Sequence, residues 1–205
     1  KGFENSLQQL GVEKLDTLLV HDCQDLLGDK QRAHTIWKSM ELLKEKALVR
    51  RIGVSIYEPS EALKLVKEFP NIEVFQLPMN LLDQRFVENF VLEELAGKGI
   101  GIHVRSVFLQ GLLLLAPSDV PAKLSSAKKH VQKVFDVAKE NEITPLELCL
   151  GFPLSRKEVE CVVVGAHSLA QWKETVSAVS NLVNFNVNFS NFKCDEQNII
   201  DPRKW

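Results

Sequence analysis

Five short apolar runs of this sequence each end in polar or glycine-bearing residues that could do chemistry. The first run stops at His21 and Asp22. An imidazole at such a position can donate a hydrogen bond to a substrate oxygen, exchange a proton or bind a metal ion. The other four ends are, in chain order, Ser55-Ile56-Tyr57, Gln76 with Asn80, Arg105-Ser106, and Gly165-Ala166-His167-Ser168. Five such ends in series indicate one site built from several strand ends, and the series is stronger evidence than any single residue.

A strand-then-helix rhythm must position these residues. The predicted strands are Asp16–Val20, Arg51–Ser55, Glu73–Leu77, Ile100–Val104 and Cys161–Gly165. The predicted helices are Gln31–Lys46, Pro59–Phe69, Val87–Gly99, Ser125–Glu142, Thr144–Ser155 and Leu169–Asn184, and the tail from Asn186 has no period. A capping box, Thr144 with Glu147, marks one helix start. The strands are almost continuously apolar, as in a parallel sheet covered on both faces, where the carboxyl ends of the strands carry the site.

Two architectures fit this rhythm, an open doubly wound sheet and a (β/α)8 barrel. A dinucleotide-binding doubly wound sheet should carry the GxGxxG fingerprint after an early strand, and the sequence has none. A barrel needs eight units and about 250 residues. Five units in 205 residues, beginning in a helix, therefore predict an α/β fold of the TIM-barrel type. We expect an incomplete barrel with about five βα units, the fourth to the eighth, in a single domain over residues 1–205.

Composition excludes several classes of function. The net charge is −2 and no basic excess exists, so nothing favours a nucleic-acid partner. The longest apolar stretch, Gly111–Ala116, is far too short to cross a membrane, and the first residues do not resemble a signal peptide. The four cysteines lie far apart without a CxxC pair, which indicates reduced thiols in a cytoplasmic protein.

Several stretches together resemble the second part of an aldo-keto reductase, most closely the bacterial members. They are "SLQQLGVEKLDTLLVHD", "GVSIYEPSEAL", "FQLPMNLLDQR", "RSVFLQGLL" and "VVVGAHSLAQWKE". Their order and spacing carry the resemblance from the first residues to the closing "DPRKW". It implies a (β/α)8 barrel and hydride transfer between a nicotinamide cofactor, NADP or NAD, and a small carbonyl or alcohol.

The resemblance also implies a catalytic role for His21. The family uses an Asp-Tyr-Lys-His group, and His21 matches the histidine that orients the substrate carbonyl. The other three belong to the first three strands, which this sequence is expected to lack. Tyr57, the sole tyrosine, does not match the family's acid. We therefore expect the segment alone to be inactive.

This sequence matches more of the family's cofactor-contacting positions than of its catalytic group. Ser55 and Gln76 match the residues that hydrogen-bond to the nicotinamide carboxamide, although Ile56 replaces the usual asparagine. Arg105 stands where many members stack an aromatic ring. The remaining matches run along the pyrophosphate and the adenosine: Ser106, Leu109, Gln110, Gly111, Gly165, Ala166, His167, Gln171 and Thr175. The family's arginine for a 2′-phosphate falls on Ser168, so a preference for NADP is doubtful unless His167 or Lys173 substitutes.

Each of these residues also has a plainer interpretation. Ser55 and Ser106 could be loop caps, and Arg105 could pair with Asp83 or Glu88. Among the residues outside the matched set, His130 follows two lysines and is expected on a solvated face, and Trp37 and Trp172 are expected to pack. His21, Asp22 and Cys23 are consecutive, so their side chains diverge, and no metal site is predicted. Nothing basic other than His21 lies beside Cys23 to activate its thiol.

Three functions remain open at this stage. The leading one is an NAD(P)-dependent oxidoreductase segment. A non-catalytic binding or regulatory barrel is favoured by Ile56 and Arg105, and a lyase or isomerase would use His21 with Asp22 as base and acid. An incomplete barrel exposes strand edges and interior side chains. We therefore expect either a homo-oligomer or a missing N-terminal segment to cover them.

Overall fold

A five-stranded sheet organises the chain in the computed structural model, which describes residues 2–182 and 187–205. The strands are β1 (Leu15–Val20), β2 (Val49–Ser55), β3 (Val74–Pro78), β4 (Gly101–Arg105) and β5 (Cys161–Val162), in the spatial order β1-β2-β3-β4-β5. The pairings of β1 with β2 and of β2 with β3 are parallel. The five predicted strands are confirmed, although the fifth is much shorter than expected.

Helices follow the strands, as parallel crossover connections require. They are α1 (Gly2–Leu10), α2 (Gln24–Leu27), α3 (Lys30–Glu45), α4 (Pro59–Glu68), α5 (Arg85–Glu88), α6 (Val91–Gly97), α7 (Lys128–Glu140), α8 (Pro145–Leu154), α9 (Leu169–Ser180) and α10 (Gln197–Ile200). Short 3₁₀ helices lie at Leu112–Leu114, Pro117–Asp119, Ala122–Ala127, Phe189–Phe192 and Pro202–Lys204. Within the described residues, no helix is long and apolar enough to cross a membrane.

The chain divides into two compact units, whose boundaries fall inside β3 and β4. The first unit comprises residues 1–77 and 89–103, and the second comprises residues 78–88 and 104–205. The expectation of a single domain stays a prediction.

The core of the first unit lies between its strands and the helices that connect them. Trp37 of α3 is buried and its ring lies 5.3 Å from that of Phe69, which ends α4. On the strand side Ile52, Val54 and Phe75 are fully or almost fully buried. The packing role predicted for Trp37 is therefore correct. Burial of such side chains stabilises each by roughly 1.5–3 kcal/mol.

Gly53 allows β2 to pair closely with its neighbours. A Cβ atom at this position would lie 2.0 Å from the carbonyl oxygen of Val74 and 2.9 Å from a methyl group of Leu19. Gly53 pairs with Leu19 on one side and with Val74 on the other. The absence of a side chain thus sets how closely β1, β2 and β3 can approach.

The second unit is mostly helical. Helix α8 is its central element, with Leu148, Cys149, Leu150 and Phe152 all buried. Its N-terminus carries the predicted capping box, in which Thr144 Oγ1 accepts the Glu147 amide (3.1 Å) and the Glu147 carboxylate accepts the Thr144 amide (2.7 Å). The ring of Phe152 lies 5.3 Å from that of Phe189. Helix α8 also contacts α7 and α9.

Three helix predictions need correction. The helix expected at Val87–Gly99 is interrupted at Phe90, whose φ of 54° is left-handed and cannot continue an α-helix. The helix expected from Ser125 begins as a 3₁₀ segment with non-helical angles at Leu124, and becomes α-helical at Lys128. Helix α9 ends at Ser180, while the predicted end, Asn184, lies outside the described residues. The apolar periodicity of the sequence continues through these breaks. It therefore gives no sign of a single residue whose backbone angle interrupts a helix.

Replacing Gly53 tests the close strand pairing. Gly53→Ala is expected to lower the free energy of unfolding by at least about 2 kcal/mol, because backbone atoms of Val74 must move to admit the methyl group. Urea unfolding followed by circular dichroism measures this. The matched control is Gly97→Ala in α6, where a Cβ meets nothing within 4 Å, and where alanine should raise stability by about 0.5–1 kcal/mol. Equal effects at both positions would contradict the interpretation.

Candidate active site

Three predicted site residues lie at neighbouring strand ends of the first unit. Val20 pairs with Val54, and Ser55 pairs with Gln76. His21 directly follows Val20, so His21, Ser55 and Gln76 lie at one level across β1, β2 and β3. Parallel strands in register bring their carboxyl ends to the same edge, so these three residues share one edge of the sheet in this unit.

The surroundings of these three residues differ. His21 is exposed, Gln76 is half-buried and Ser55 is only 2% exposed. The Ile56 amide donates to the carbonyl oxygen of Gln76 at 2.9 Å, which continues the strand pairing by one residue. Ile56 itself is fully buried. Its side chain is thus a core group and not a polar contact at the edge.

The side chains of His21, Asp22 and Cys23 differ in their surroundings. His21 and Asp22 are exposed, whereas Cys23 is buried, so the three side chains diverge as expected. The Asp22 carboxylate accepts the Gln24 amide at 2.9 Å, which starts the following turn. Burial, followed by the neighbouring Glu61, raises the pKa of the Cys23 thiol to about 12. This thiol therefore stays protonated and unreactive at neutral pH.

A cleft of about 770 Å³ lies in the second unit. Seven of the twelve predicted cofactor-contacting positions line it: Ser106, Gln110, Gly111, Gly165, His167, Gln171 and Thr175. Its volume is within the range of small-molecule sites. Residues far apart in sequence, on the loop after β4 and around the start of α9, therefore meet at one concave surface.

The loop after β4 has an unusual backbone. Ser106, Leu109 and Gln110 have φ values of 60°, 48° and 56°, and Gly111 follows at 86°. The left-handed region is unfavourable for residues with a side chain and is found where the surrounding structure holds it, often at functional sites. The loop is held by Asn80, whose side-chain amide donates to the Ser106 carbonyl at 3.2 Å. Leu109 is buried and anchors the loop from beneath.

Hydrogen bonds fix the start of α9. Ser168 caps the helix by accepting the Gln171 amide at 3.2 Å, and the Gln171 side-chain oxygen accepts the His167 amide at 2.8 Å. The Thr175 hydroxyl donates to the Gln171 carbonyl at 2.9 Å. These bonds give His167 and Gln171 fixed positions beside the cleft. Ser168 therefore has a capping role at the position where the sequence comparison expects an arginine.

The charge in the cleft is low and negative. Glu174 lines it, and no lysine or arginine does so within the part of the chain that the structure describes. Lys173, considered from the sequence as a phosphate ligand, is not among the lining residues. A phosphate group bound here would rely on backbone amides, the helix N-terminus and His167.

Five predicted cofactor positions do not line this cleft. Ser55 and Gln76 belong to the first unit, and Leu109 is buried. Ala166 is exposed and lies in sequence between Gly165 and His167, which do line the cleft. Arg105 is half-buried and its guanidinium donates to Ser106 Oγ at 3.3 Å. Of the two ion-pair partners considered for Arg105, Asp83 contacts Arg85 and Glu88 contacts Lys193, and the pairing of Arg105 itself stays a prediction.

Sequence reasoning missed several residues that line the cleft. Phe135 of α7 and the segment Thr144-Pro145-Leu146 line it. Only the capping box at Thr144 was visible in the sequence, and it signals a helix start and not a binding wall. The packing prediction for Trp172 is wrong, because this side chain on α9 is 50% exposed.

The strained loop makes a testable prediction. Gln110→Gly should raise the free energy of unfolding by about 0.5–1 kcal/mol, because glycine adopts the left-handed region without steric cost. The control is Gln132→Gly, at an exposed position inside α7, which should lower it by about 1 kcal/mol. Both are measured by urea unfolding. Destabilisation of similar size in both variants would show that the loop is unstrained at residue 110.

Comparison with known proteins identifies the family of this chain. The Aldo/keto reductase family profile matches residues 1–188. L-galactose dehydrogenase of Arabidopsis thaliana is 27% identical over 190 residues, which are 89% of this chain and 58% of the relative. L-glyceraldehyde 3-phosphate reductase of Escherichia coli O157:H7 is 24% identical over 88% of this chain and 58% of the relative. The chain thus spans less than two thirds of the length of these relatives. An aldo-keto reductase of Bacillus halodurans, in its apo form, has the same fold, with a TM-score of 0.72, 21% identity, and coverage of 93% of this chain and 65% of that one. This chain belongs to the aldo/keto reductase family.

Proposed function

We propose that this protein binds a nicotinamide dinucleotide and takes part in hydride transfer between it and a small carbonyl or alcohol. The observation that carries the proposal is the cleft of the second unit, on which seven residues singled out from the sequence converge. The relatives named for L-galactose and L-glyceraldehyde 3-phosphate support a small hydroxylated substrate. The incomplete barrel, with only its fourth to eighth units, belongs to the same proposal.

The residues of the cleft fit the adenosine and phosphate part of a dinucleotide. A Cβ atom at Gly165 would meet nothing within 4 Å, so the backbone there is open to a bound molecule. Helix α9 has twelve residues and directs its positive end, next to His167, toward the same surface. Aromatic and aliphatic groups, among them Phe135 and Leu146, supply an apolar wall for a base.

The charge of the cleft supports NAD in preference to NADP. A 2′-phosphate needs a cation, and within the described residues only His167 could provide one at this surface. Glu174 would repel the phosphate but could accept a hydrogen bond from a ribose hydroxyl. We therefore assign NAD as the cofactor, with Glu174 and Ser168 as the residues that disfavour the additional phosphate.

In the first unit, we assign the orientation of the reacting groups to His21, Ser55 and Gln76. The nicotinamide, when bound, supplies or accepts the hydride. The exposed imidazole of His21 can donate a hydrogen bond to a carbonyl oxygen and so stabilise the negative charge that develops there. Ser55 and Gln76 offer a hydroxyl and an amide that can hydrogen-bond to a carboxamide.

Proton donation is the step that these 205 residues do not complete in this proposal. Tyr57 is half-buried and lies in the turn before α4, where its amide donates to Glu61 at 2.8 Å. It follows β2 and does not match the family's acid. The four thiols, all free, fit the reducing cytoplasmic location inferred from the sequence.

A second candidate function is a binding or regulatory protein that holds the dinucleotide without catalysis. Its support is Ile56, fully buried where the family has a polar contact, and Arg105, which replaces an aromatic ring. Binding of NADH without reduction of any aldehyde, by a protein extended to include the reading frame upstream of Lys1, would favour this candidate.

Fluorescence titration with NADH tests cofactor binding. The 205-residue protein is expected to bind with a dissociation constant in the range of about 1 µM to 1 mM. Gly165→Leu should weaken binding at least tenfold, because the new side chain occupies the cleft without disturbing the fold. Gly97→Leu, also in open space, is the control and should bind as the parent does. No saturable binding, to this chain or to the extended protein, would refute the proposal.

The choice between NAD and NADP is tested by Ser168→Arg. The new guanidinium should improve NADPH binding at least fivefold relative to NADH, because it supplies the missing cation. Ser177→Arg, later on the same helix, controls for a change in net charge. Glu174→Gln should also improve NADPH binding relative to NADH, and this variant keeps the Ser168 cap of α9. Tighter binding of NADPH than NADH by the parent protein would contradict the assignment of NAD.

Exposed apolar side chains on α9 support the partner proposal. Leu169, Trp172, Val176 and Val179 are all exposed, more than a monomer usually tolerates on one helix. We propose that a second copy or a missing N-terminal segment covers the open barrel edge, and that a second copy also covers this face of α9 when these 205 residues are made alone. Multi-angle light scattering should then report a mass above 23.2 kDa, and Trp172→Ser with Val176→Ser should lower it. A stable monomer of the parent protein would refute the proposal.

A further inference from the structure

Three side chains of metal-binding type meet in the second unit, away from the cleft. They are the imidazole of His130, the thiol of Cys194 and the carboxylate of Glu196, whose ligand atoms lie within 4.8 Å of one another. His130 lies in the first turn of α7, and the other two lie just before α10 near the end of the chain. None of the three lines the cleft. The fold therefore brings together a nitrogen, a sulfur and an oxygen ligand from distant parts of the sequence.

The imidazole of His130 is half-buried, and its Nε2 atom has no hydrogen-bond partner among the described groups. Its side chain is 16% exposed, and its Nε2 atom is shielded from water and bonded to no other described group. The nearest carboxylate oxygen, of Glu196, is 4.0 Å away. The solvated face expected for His130 is thus wrong. A buried polar atom without a partner is rare and calls for an explanation such as an ion.

The backbone around Cys194 is fixed. Its amide donates to the Leu82 carbonyl at 3.0 Å, and the side chain is 6% exposed. Burial raises the pKa of this thiol, while the Glu196 backbone acts in the opposite direction through a hydrogen bond to it. A metal ion would displace the thiol proton and bind the thiolate.

Two lysines border the group. Lys129 Nζ lies 3.3 Å from the Glu196 carboxylate, and Lys133 Nζ donates to the Asn191 carbonyl at 2.6 Å. Burial, and then these two cations, lower the pKa of His130, with Glu196 acting in the opposite direction.

We propose that His130, Cys194 and Glu196 bind one divalent zinc-class cation, with water as the fourth ligand. Mixed nitrogen, sulfur and oxygen ligands suit the borderline-soft Zn²⁺, which binds them tetrahedrally at about 2.0–2.3 Å. These bond lengths require the ligand atoms to approach to roughly 3.3–3.8 Å. The half-exposed Glu196 side chain supplies this contraction by leaving Lys129.

The bound ion would link the start of α7 to the segment that follows Val187. That segment contributes Phe192, Ile199 and Ile200 to the buried core of the described structure. The site is structural in this proposal, because it is separate from the cleft and its ligands come from two packed elements. Ion binding is therefore expected to raise the thermal unfolding midpoint.

Titration of the chelator-treated, tag-free protein with Co²⁺ and then Zn²⁺ tests the site. Co²⁺ should bind one per chain and give a thiolate-to-metal charge-transfer band that Zn²⁺ abolishes. Cys194→Ser should remove the band, and His130→Gln and Glu196→Gln should each weaken binding at least tenfold. Cys161→Ser, an exposed thiol, and His34→Gln, an exposed imidazole, are the matched controls and should change neither.

Each result of these titrations either supports the metal site or overturns it. A one-to-one band that is lost with Cys194 and kept with Cys161, together with a Zn²⁺-dependent rise in the unfolding midpoint that His130→Gln abolishes, supports the site. Absence of saturable binding to the parent protein overturns it, and so does a band that survives in Cys194→Ser. Circular dichroism identifies any variant that fails to fold, and the His130→Gln and Glu196→Gln titrations then decide the question.

Discussion

Parallel pairing of β2 with its two neighbours is the constraint on which the arrangement of the first unit depends. Hydrogen bonds between parallel strands fix their register, and the register places His21, Ser55 and Gln76 at one edge. Gly53 makes the close pairing possible, since any side chain there would collide with the Val74 backbone. The position of each polar end is therefore a consequence of backbone pairing along the apolar strands, and not of contacts among the polar residues themselves.

In the second unit, short polar side chains fix the positions of the residues around the cleft. Asn80 accepts the amides of Leu82 and Asp83 and donates to Ser106, so it joins one turn to the loop that borders the cleft. Ser168 and Gln171 fix the start of α9 in the same way. These bonds offset the strain of the left-handed residues in the loop, which the chain would otherwise relax. The hydrogen bonds of Asn80, Ser168 and Gln171 thus hold the shape of the cleft.

Much of the fold could be predicted because its signals are local. Apolar runs gave the five strands, and the Thr144 capping box gave the start of α8. The interruption at Phe90 was not predictable, because one residue's backbone angle is set by packing on both sides. The exposure of Trp172 and the shielding of the His130 Nε2 atom were missed for a similar reason. The periodicity of a helix shows which residues share a face, but not what covers that face.

By itself, the sequence determined the order of strands and helices, the polar residues at the strand ends and the resemblance to a family of oxidoreductases. These depend on hydrophobic periodicity, capping and motif spacing, which are properties of neighbouring residues. Only the tertiary structure decided that Phe135, Leu146 and Gly165 line one cleft, that Glu174 also lines it, and that His130 meets Cys194 and Glu196. The physical reason is that side chains distant in sequence come together only when the whole core has packed.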